Sequence, residues 1–529
     1  MQQRSTDGFS IVGGNMLKML NATSMHRVDG LATRRYAIPS VILMENAGRS
    51  VVDVAASKLD GLEGKRILIV AGKGNNGGDG FVAARHAAHR GAMVDVLLTA
   101  GADSLRDDAL QAYEMIATAG HPALRLIPIS KFASVRKRSY DSIIDAIFGT
   151  SFHGEIRGTL QSIVRWMNTS PALVIAVDIP SGLDATTGKS APCTVKADVT
   201  VTMAALKPGL LLGSGREYCG EVLVADIHVP EELILSVGDD IFAAERQDII
   251  EHLPVRPATA HKYSVGKIFA LAGSRRFTGA ALLTSRAAMK AGAGAVVLGI
   301  PATEFSTVAR RTLEVMPLSL DATVDGTVAA SAGKMIFEKL RWADALVIGP
   351  GLGRNKETAS LIRRVVSETN LPILLDADGL NAFAGLTALL RKTKSRNIVL
   401  TPHAGEFARL LNLPVKDVEE DGLSLAQKFS KHHGVVLVLK GASTIIASPD
   451  GRVAVNTTGN PGMATAGAGD VLSGIIGALL SQRVDAFWAA IVGTYIHGRA
   501  GDFATEALGE RSTMASDIVK QLPSAILSL

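Results

Sequence analysis

Cysteine is nearly missing from this chain: Cys193 and Cys219 are the only two in 529 residues. That excludes a disulfide framework and points to a reducing compartment. Aromatic residues make up only 5% of the chain, so small aliphatic side chains and glycine must fill its interior. Such filling suits parallel α/β layers with closely packed helices. Neither sign of charge dominates, since 55 basic residues nearly cancel 50 acidic ones and leave +5. With no long basic tract, nucleic acid is not an expected partner, although the small excess favours anionic small ligands. The longest apolar stretch, 471–496, is broken by Gln482, Arg483 and Asp485, so it reads as two buried helices and a turn rather than a membrane span. The N-terminal "MQQRSTDGFSIVGGNML" lacks the apolar core of a secretion signal, and a cytoplasmic protein is expected.

What the chain has instead is length and alternation. Its 529 residues are too many for one ordinary core, and the pattern divides it into domains 1–240 and 241–529. In the first half "RILIV" (66–70), "AMVDVLL" (92–98), "SIIDAIFG" (142–149), "ALVIAVDIP" (172–180), "ADVTVTM" (197–203) and "GEVLVADI" (220–227) read as strands. Helical stretches at 81–90, 104–119 and 157–168 separate them, which predicts right-handed crossovers and a mostly parallel sheet. Residues 229–262 carry prolines and no clear strand, and read as the linker. The second half repeats the grammar through "GKIFALAGS", "AVVLGIP", "ALVIGPG", "PILLDADG", "NIVLTPH", "VVLVLKG" and "TIIAS". Ligands in such folds sit at the carboxyl ends of strands.

Those ends carry the informative residues. "VAGKGNNGGDG" (70–80) joins a strand to a helix predicted to start at Phe81. Its glycines allow close approach of a ligand to main chain, and helix N–H groups can meet phosphate. Its spacing is not the usual dinucleotide fingerprint. A merely tight turn explains the glycines but not Asn75, Asn76 and Asp79. "DAIFGTSFHGEIRG" adds Asp145 and a glycine loop, "VDIPSGLDATTG" adds Asp178 and Ser181, and "ALKPGLL" adds Lys207. Asn76, Asp145 and Ser181 are hard oxygen donors, suited to a large, weakly held cation and poor for zinc. Asp178 reads either as a proton-transfer group or as the cap of the following turn. Lys207, before Pro-Gly, reads equally as a solvated turn residue.

In the second half "NTTGNPGMATAGAGDVLSGIIGALL" (456–480) leads a glycine turn into Asp470 and an apolar helix. The helix start can stabilise a transferring phosphoryl group while Asp470 takes a proton from an attacking hydroxyl. The plainer alternative makes Asp470 a helix cap. "GPGLG" (349–353), Asp376 and Asp378, His403 and Glu406, and Lys440 in "VLKGAST" stand at other strand ends.

"IPSVILMENAGRSV", "GKGNNGGDG", "DAIFGT" and "VDIPSGLDA" together resemble the N-terminal domain of the bifunctional NAD(P)H-hydrate repair enzymes. "HKYSVGKIFALAGSRRFTGAALLTSRAAMKAGAGAV", "GPGLG" and "TPHAGE" resemble their ribokinase-like dehydratase domain, with a departure at Tyr263–Ser264. The resemblance implies an α/β chain with an N-terminal Rossmann-like three-layer sandwich and a C-terminal ribokinase-like domain. It implies an epimerase for R and S NADHX and NADPHX, followed by a dehydratase using ADP or ATP with Mg2+. ADP is favoured, because epimerase-first fusion looks bacterial.

By this likeness Asn75, Asn76, Gly77, Gly78 and Asp79, with Gly149, Thr150, Ser151, Phe152, His153, Gly154 and Glu155, hold the epimerase substrate. Asn76, Asp145 and Ser181 surround K+, and Asp178 lies at the reacting ring. His153 falls where the family varies. In the dehydratase, Ala280, Gly351, His403 and Asp470 contact the hydrated nucleotide. Lys440, Gly441, Ala442, Ser443, Thr444 and Gly469 bind the adenine nucleotide. Small-molecule substrates and a homo-oligomer are expected, with no membrane partner. Two alternatives stand beside this: a ribokinase-like kinase for a vitamin-precursor alcohol, and a non-catalytic N-terminal binding module.

Overall fold

The computed structural model describes residues 16–529, so most of the N-terminal segment read above lies outside the described residues. Two compact units carry Leu17–Asp239 and Asp240–Leu529.

In the first unit the sheet runs, edge to edge, Leu124–Pro128, Met93–Leu98, Arg66–Ala71, Ser142–Ala146, Leu173–Val177, Val199–Met203 and Glu221–Ala225. Every pairing is parallel. Alternate strand residues feed separate cores on the two faces. Ile67, Ile69, Ile144, Ile175 and Val177 pack under the helices Ala22–Tyr36, Ser40–Lys58 and Asn75–His89. Leu68, Val70, Ile143, Val174 and Ala176 pack on the other side with Ile163, Val164 and Met167 of Thr159–Met167. This is a three-layer, Rossmann-like sandwich. Its strand order reverses between Arg66–Ala71 and Ser142–Ala146, where such sheets open a crevice.

The second unit is wound the same way. Its order is Ile241–Ala243, Val453–Val455, Ile445–Ala447, Val436–Leu439, Ile398–Leu400, Ile373–Leu375, Ala345–Ile348, Lys267–Leu271, Ala295–Pro301 and Met316–Leu320. Among these strands of the described residues only the pairings of Ile445–Ala447 are antiparallel. The reversal falls between Lys267–Leu271 and Ala345–Ile348. Helices Thr278–Lys290, Ala468–Ser481, Ala486–Leu508 and Ala515–Leu527 share one core against this sheet. Among the described residues no helix is long and apolar enough to cross a membrane.

The structure corrects the sequence reading in three places. The helix expected from Phe81 begins at Asn75, with Gly74 as its cap. The supposed linker contains helices Glu231–Ser236 and Arg246–His252 and the strand Ile241–Ala243, which pairs with Val453–Val455. A three-residue strand is too short to show a period of two. Leu124–Pro128 and Met316–Leu320 went unread because they are edge strands, half exposed, without a continuous apolar run.

Candidate active sites

At the first reversal point lies a cavity of about 750 Å3, lined by residues from several distant segments, among them Asn75, Asn76, Asp79, Gly149 to Phe152, Asp178 and Lys207. Most glycines of the opening loop serve the strand–helix junction itself. A Cβ on Gly72 would lie 2.0 Å from the Ile147 carbonyl oxygen, and one on Gly77 2.0 Å from that of Gly72. Gly78 is blocked by Met44 and Gly80 by Ala146. Gly74 alone of the five meets nothing within 4 Å, and it lines the cavity with Asn75 and Asn76 at the helix start.

Asp178 sits at the end of Leu173–Val177 with φ 65°, a strained value for a non-glycine residue. Its Oδ1 accepts hydrogen bonds from Lys207 Nζ at 2.5 Å, Met203 N at 3.1 Å and Thr202 Oγ1 at 3.2 Å. These donors come from another strand end, so Asp178 does not cap its own turn. Lys207 is 1% exposed, which overturns the solvated-turn reading; its ammonium also donates to Thr202 Oγ1 and the Met203 carbonyl. Its only signal in sequence was its place at a strand end.

Asp145 is fully buried and accepts from Ser181 N, Ser181 Oγ and Ile147 N. Burial pushes its pKa up to about 6 despite those bonds. Asn76 Nδ2 donates to the Phe148 carbonyl at 3.0 Å, and Ser181 Oγ accepts from Phe148 N. The three expected cation ligands thus share one network, joined by the Phe148 carbonyl.

The loop after Asp145 is divided. Gly149, Thr150, Ser151 and Phe152 line the cavity, with the Phe148 and Phe152 rings 5.0 Å apart. His153, Gly154 and Glu155 are not among its lining residues. His153 faces Asp184 at 3.6 Å and Glu155 pairs with Arg157. His26 and Asp29, from the helix Ala22–Tyr36, also line the cavity, and His26 Nε2 lies 2.9 Å from Ser151 Oγ. No motif in the sequence marked that helix.

In the second unit the helix Ala468–Ser481 is capped by Gly467 at φ 92°, and Asp470 falls within its first turn. The cap alternative therefore fails. Burial, with Asp376 nearby, pushes the Asp470 pKa up to about 7, against the pull of Lys440. Lys440 Nζ donates to Asp376 Oδ1 at 2.8 Å and Ser473 Oγ to Asp376 Oδ2 at 2.7 Å, so both Asp376 oxygens are engaged. Burial pulls the Lys440 pKa down, yet Asp376 and Glu406 hold it above the usual lysine value. Gly469 leaves room for this cluster: a Cβ there would lie 3.1 Å from Lys440 Nζ.

Ala280 and Gly351 meet at the reversal point, where a Cβ on Gly351 would approach Ala280 Cβ to 3.0 Å. Asp378 accepts from Gly353 N and steadies that loop. His403 caps the helix Ala404–Leu411, its Nδ1 accepting from Gly405 N and its N–H donating to Glu406. Its main chain bridges to Lys440. Gly441 to Thr444 form the turn between Val436–Leu439 and Ile445–Ala447. Sequence reading missed His497, buried in the apolar helix Ala486–Leu508, where burial pushes its pKa down to about 4 and Nε2 has no partner among the described residues.

A family model described as NAD(P)H-hydrate dehydratase matches residues 268–524, and one described as the YjeF-related protein N-terminus matches residues 40–209. The bifunctional NAD(P)H-hydrate repair enzyme of Moorella thermoacetica is 41% identical over 515 residues, covering 97% of each chain. That of Leishmania major is 33% identical over 504 residues, covering 91% of this chain and 88% of its own. A crystal structure of the ADP/ATP-dependent NAD(P)H-hydrate dehydratase from Bacillus subtilis, co-crystallized with ATP and Mg2+, is 28% identical with a TM-score of 0.46, covering 54% of this chain and 97% of its own. With both halves matched in order over nearly the whole length, and with a Rossmann-like unit followed by a ribokinase-like one, this chain belongs to the family of bifunctional NAD(P)H-hydrate repair enzymes.

Proposed function

We propose that the N-terminal unit interconverts the R and S forms of NADHX and NADPHX at C6, and that the C-terminal unit dehydrates the S form by phosphoryl transfer from ADP or ATP. The observation that carries this is a matched one: in each unit an aspartate stands near a lysine beside a glycine-containing turn, Asp178 with Lys207 and Asp470 with Lys440.

In the epimerase, Asp178 faces the ring while Lys207 fixes its orientation through Oδ1. Asn75, Asn76 and the loop Gly149–Phe152 receive the dinucleotide; His153, Gly154 and Glu155, expected to join them, do not line the cavity. K+ fits the donor set of Asp145, Ser181, Asn76 and the Phe148 carbonyl. There a buried carboxylate lacks a basic side-chain partner among the described residues. A cation bound there would balance that charge.

In the dehydratase, a hydroxyl leaves poorly at neutral pH and a phosphate ester leaves well. Asp470 takes the C6 hydroxyl proton as that oxygen attacks the terminal phosphoryl group of the nucleotide. The N–H groups at the start of Ala468–Ser481 and the Lys440 ammonium stabilise the developing charge. The N1 lone pair then expels phosphate, and loss of a C5 proton restores the dihydronicotinamide. Ala280, Gly351 and His403 would line the hydrated ring, with Lys440 to Thr444 and Gly469 on the nucleotide. Mg2+ would ride on the nucleotide phosphates and neutralise them; among the described residues no cluster of three or more His, Cys, Asp or Glu forms a protein-built cage. Epimerase-first fusion also occurs in a Leishmania major relative, so ADP is preferred over ATP here only as the case to test first. A cytoplasmic homo-oligomer is the proposed setting.

The test is to incubate purified protein with mixed NADHX epimers and ADP or ATP, following the absorbance of the dihydronicotinamide. Full recovery from both epimers is expected. No recovery, together with stable phosphorylation of a vitamin-precursor alcohol, would make the C-terminal unit a kinase instead.

A further inference from the structure

Inversion at C6 needs two proton-handling groups, one to accept and one to donate, whichever bond opens. Asp178 supplies the acceptor. Lys207 is committed, since its three N–H bonds go to Asp178 Oδ1, Thr202 Oγ1 and the Met203 carbonyl. The cavity therefore holds a base but no donor yet assigned. The charged groups around it are His26 and Asp29 from Ala22–Tyr36, Lys73 before the helix Asn75–His89, Asp79 within it, Asp108 from Asp107–Ala119, and Asp178 and Lys207.

We propose that Asp79, a carboxylic acid set in the same cavity wall as the Asp178–Lys207 pair, is the proton donor of the epimerisation. This deepens the epimerase reading and rests on it. Among the described residues nothing hydrogen-bonds to the Asp79 carboxyl, and its charged neighbours act on it through space. Loss of water, then the charges of Asp178 and Asp29, hold its pKa well above the usual carboxylate value; Lys207 offsets only part of this. Asp79 is the fifth residue of Asn75–His89, past the first turn in which a helix start favours an anion, so the helix does not reverse these contributions. Asp178, paired with an ammonium, and Asp79, unpaired beside it, thus divide the roles of base and acid between two residues of one type.

Asp178 takes the C6 hydroxyl proton, the C6–N1 bond breaks as C6=O forms, and N1 takes the Asp79 proton with the bonding pair. After rotation about the open chain, N1 attacks the other face of C6 and returns its proton to Asp79. The carbonyl oxygen recovers the proton from Asp178. Nothing is consumed.

Asp79→Asn, nearly isosteric, is expected to slow R-to-S conversion by about 10²-fold or more. Wild-type epimerisation should fall as pH rises and Asp79 loses its proton, and this alkaline limb of the profile should vanish in the variant. Dehydration of the S form by the same preparation, unchanged, reports an intact C-terminal unit, and an unchanged thermal transition of the N-terminal unit reports that its fold survives the substitution. If Asp79→Asn fails to fold, Asp79→Glu takes its place and should keep a displaced alkaline limb. A near wild-type rate in Asp79→Asn, a slow variant that retains the alkaline limb, or loss of that limb in Asp29→Asn instead would each overturn the proposal. Absence of R-to-S conversion by the wild-type protein would instead reject the epimerase reading itself.

Discussion

Asp470 is held near the point of losing its proton. The unfolded chain ionises such a carboxyl near 3.8, whereas in the folded protein burial and Asp376 push it up to about 7. Between those values the folded state binds the extra proton, so stability falls as pH rises through that window and the loss is complete above about 7. Asp470→Asn removes the penalty. Its unfolding free energy should exceed that of wild type near about pH 8, by at most about 4 kcal/mol at ~1.36 kcal/mol per unit, with no gain near about pH 4. Activity runs the other way: the base form accumulates through about pH 7, so wild-type dehydration should climb there while the variant loses about 10²- to 10⁴-fold. A variant that dehydrates normally would remove Asp470 from the chemistry. The strained backbone at Asp178 (φ 65°) and at Ala377 (φ 47°), between Asp376 and Asp378, marks both sites as places where geometry is held against local preference.

At the scale of elements, the junction between Arg66–Ala71 and Asn75–His89 separates two uses of glycine. Gly77 is pressed against the Gly72 carbonyl, a backbone atom that cannot step aside. Gly77→Ala should therefore cost on the order of 1–3 kcal/mol or more, lowering the thermal transition and epimerisation together. Gly74 has an ordinary φ of −99° and open space around its Cβ position. Gly74→Ala should leave the melting temperature unchanged and raise only the substrate concentration needed for half-maximal epimerisation. Equal destabilisation by both changes would contradict this division. Sequence alone showed five glycines in eleven residues and left ligand approach and a tight turn both open for them, because which neighbour each one meets is set by Ile147, Met44 and Ala146, up to 75 positions away in the chain.

At the scale of the whole molecule, the fusion answers a chemical need. A dehydratase that accepts one epimer strands the other unless a second activity converts it. Asp178→Ala should convert only the S form to dihydronicotinamide, and Asp470→Ala should epimerise without dehydrating. Mixing the two purified variants should restore use of the R form, with a lag that shortens as the Asp178→Ala share of dehydratase rises, because the epimerised nucleotide is released to solution. No restoration would mean that each chain must process its own substrate.

Much of this was legible in the one-dimensional pattern. Apolar runs separated by helical stretches dictate parallel sheets, because both faces of each strand must be buried and the connections must cross over. Asp145 and Asp178, each at the end of an apolar run just before a glycine turn, mark strand ends, and the glycine turn before Asp470 marks a helix start. The burial of Lys207, the engagement of both Asp376 oxygens, the true helix start at Asn75 and the unpaired carboxyl of Asp79 were decided only by tertiary structure. Each depends on how much water and which distant charge a side chain meets, and no local periodicity carries that.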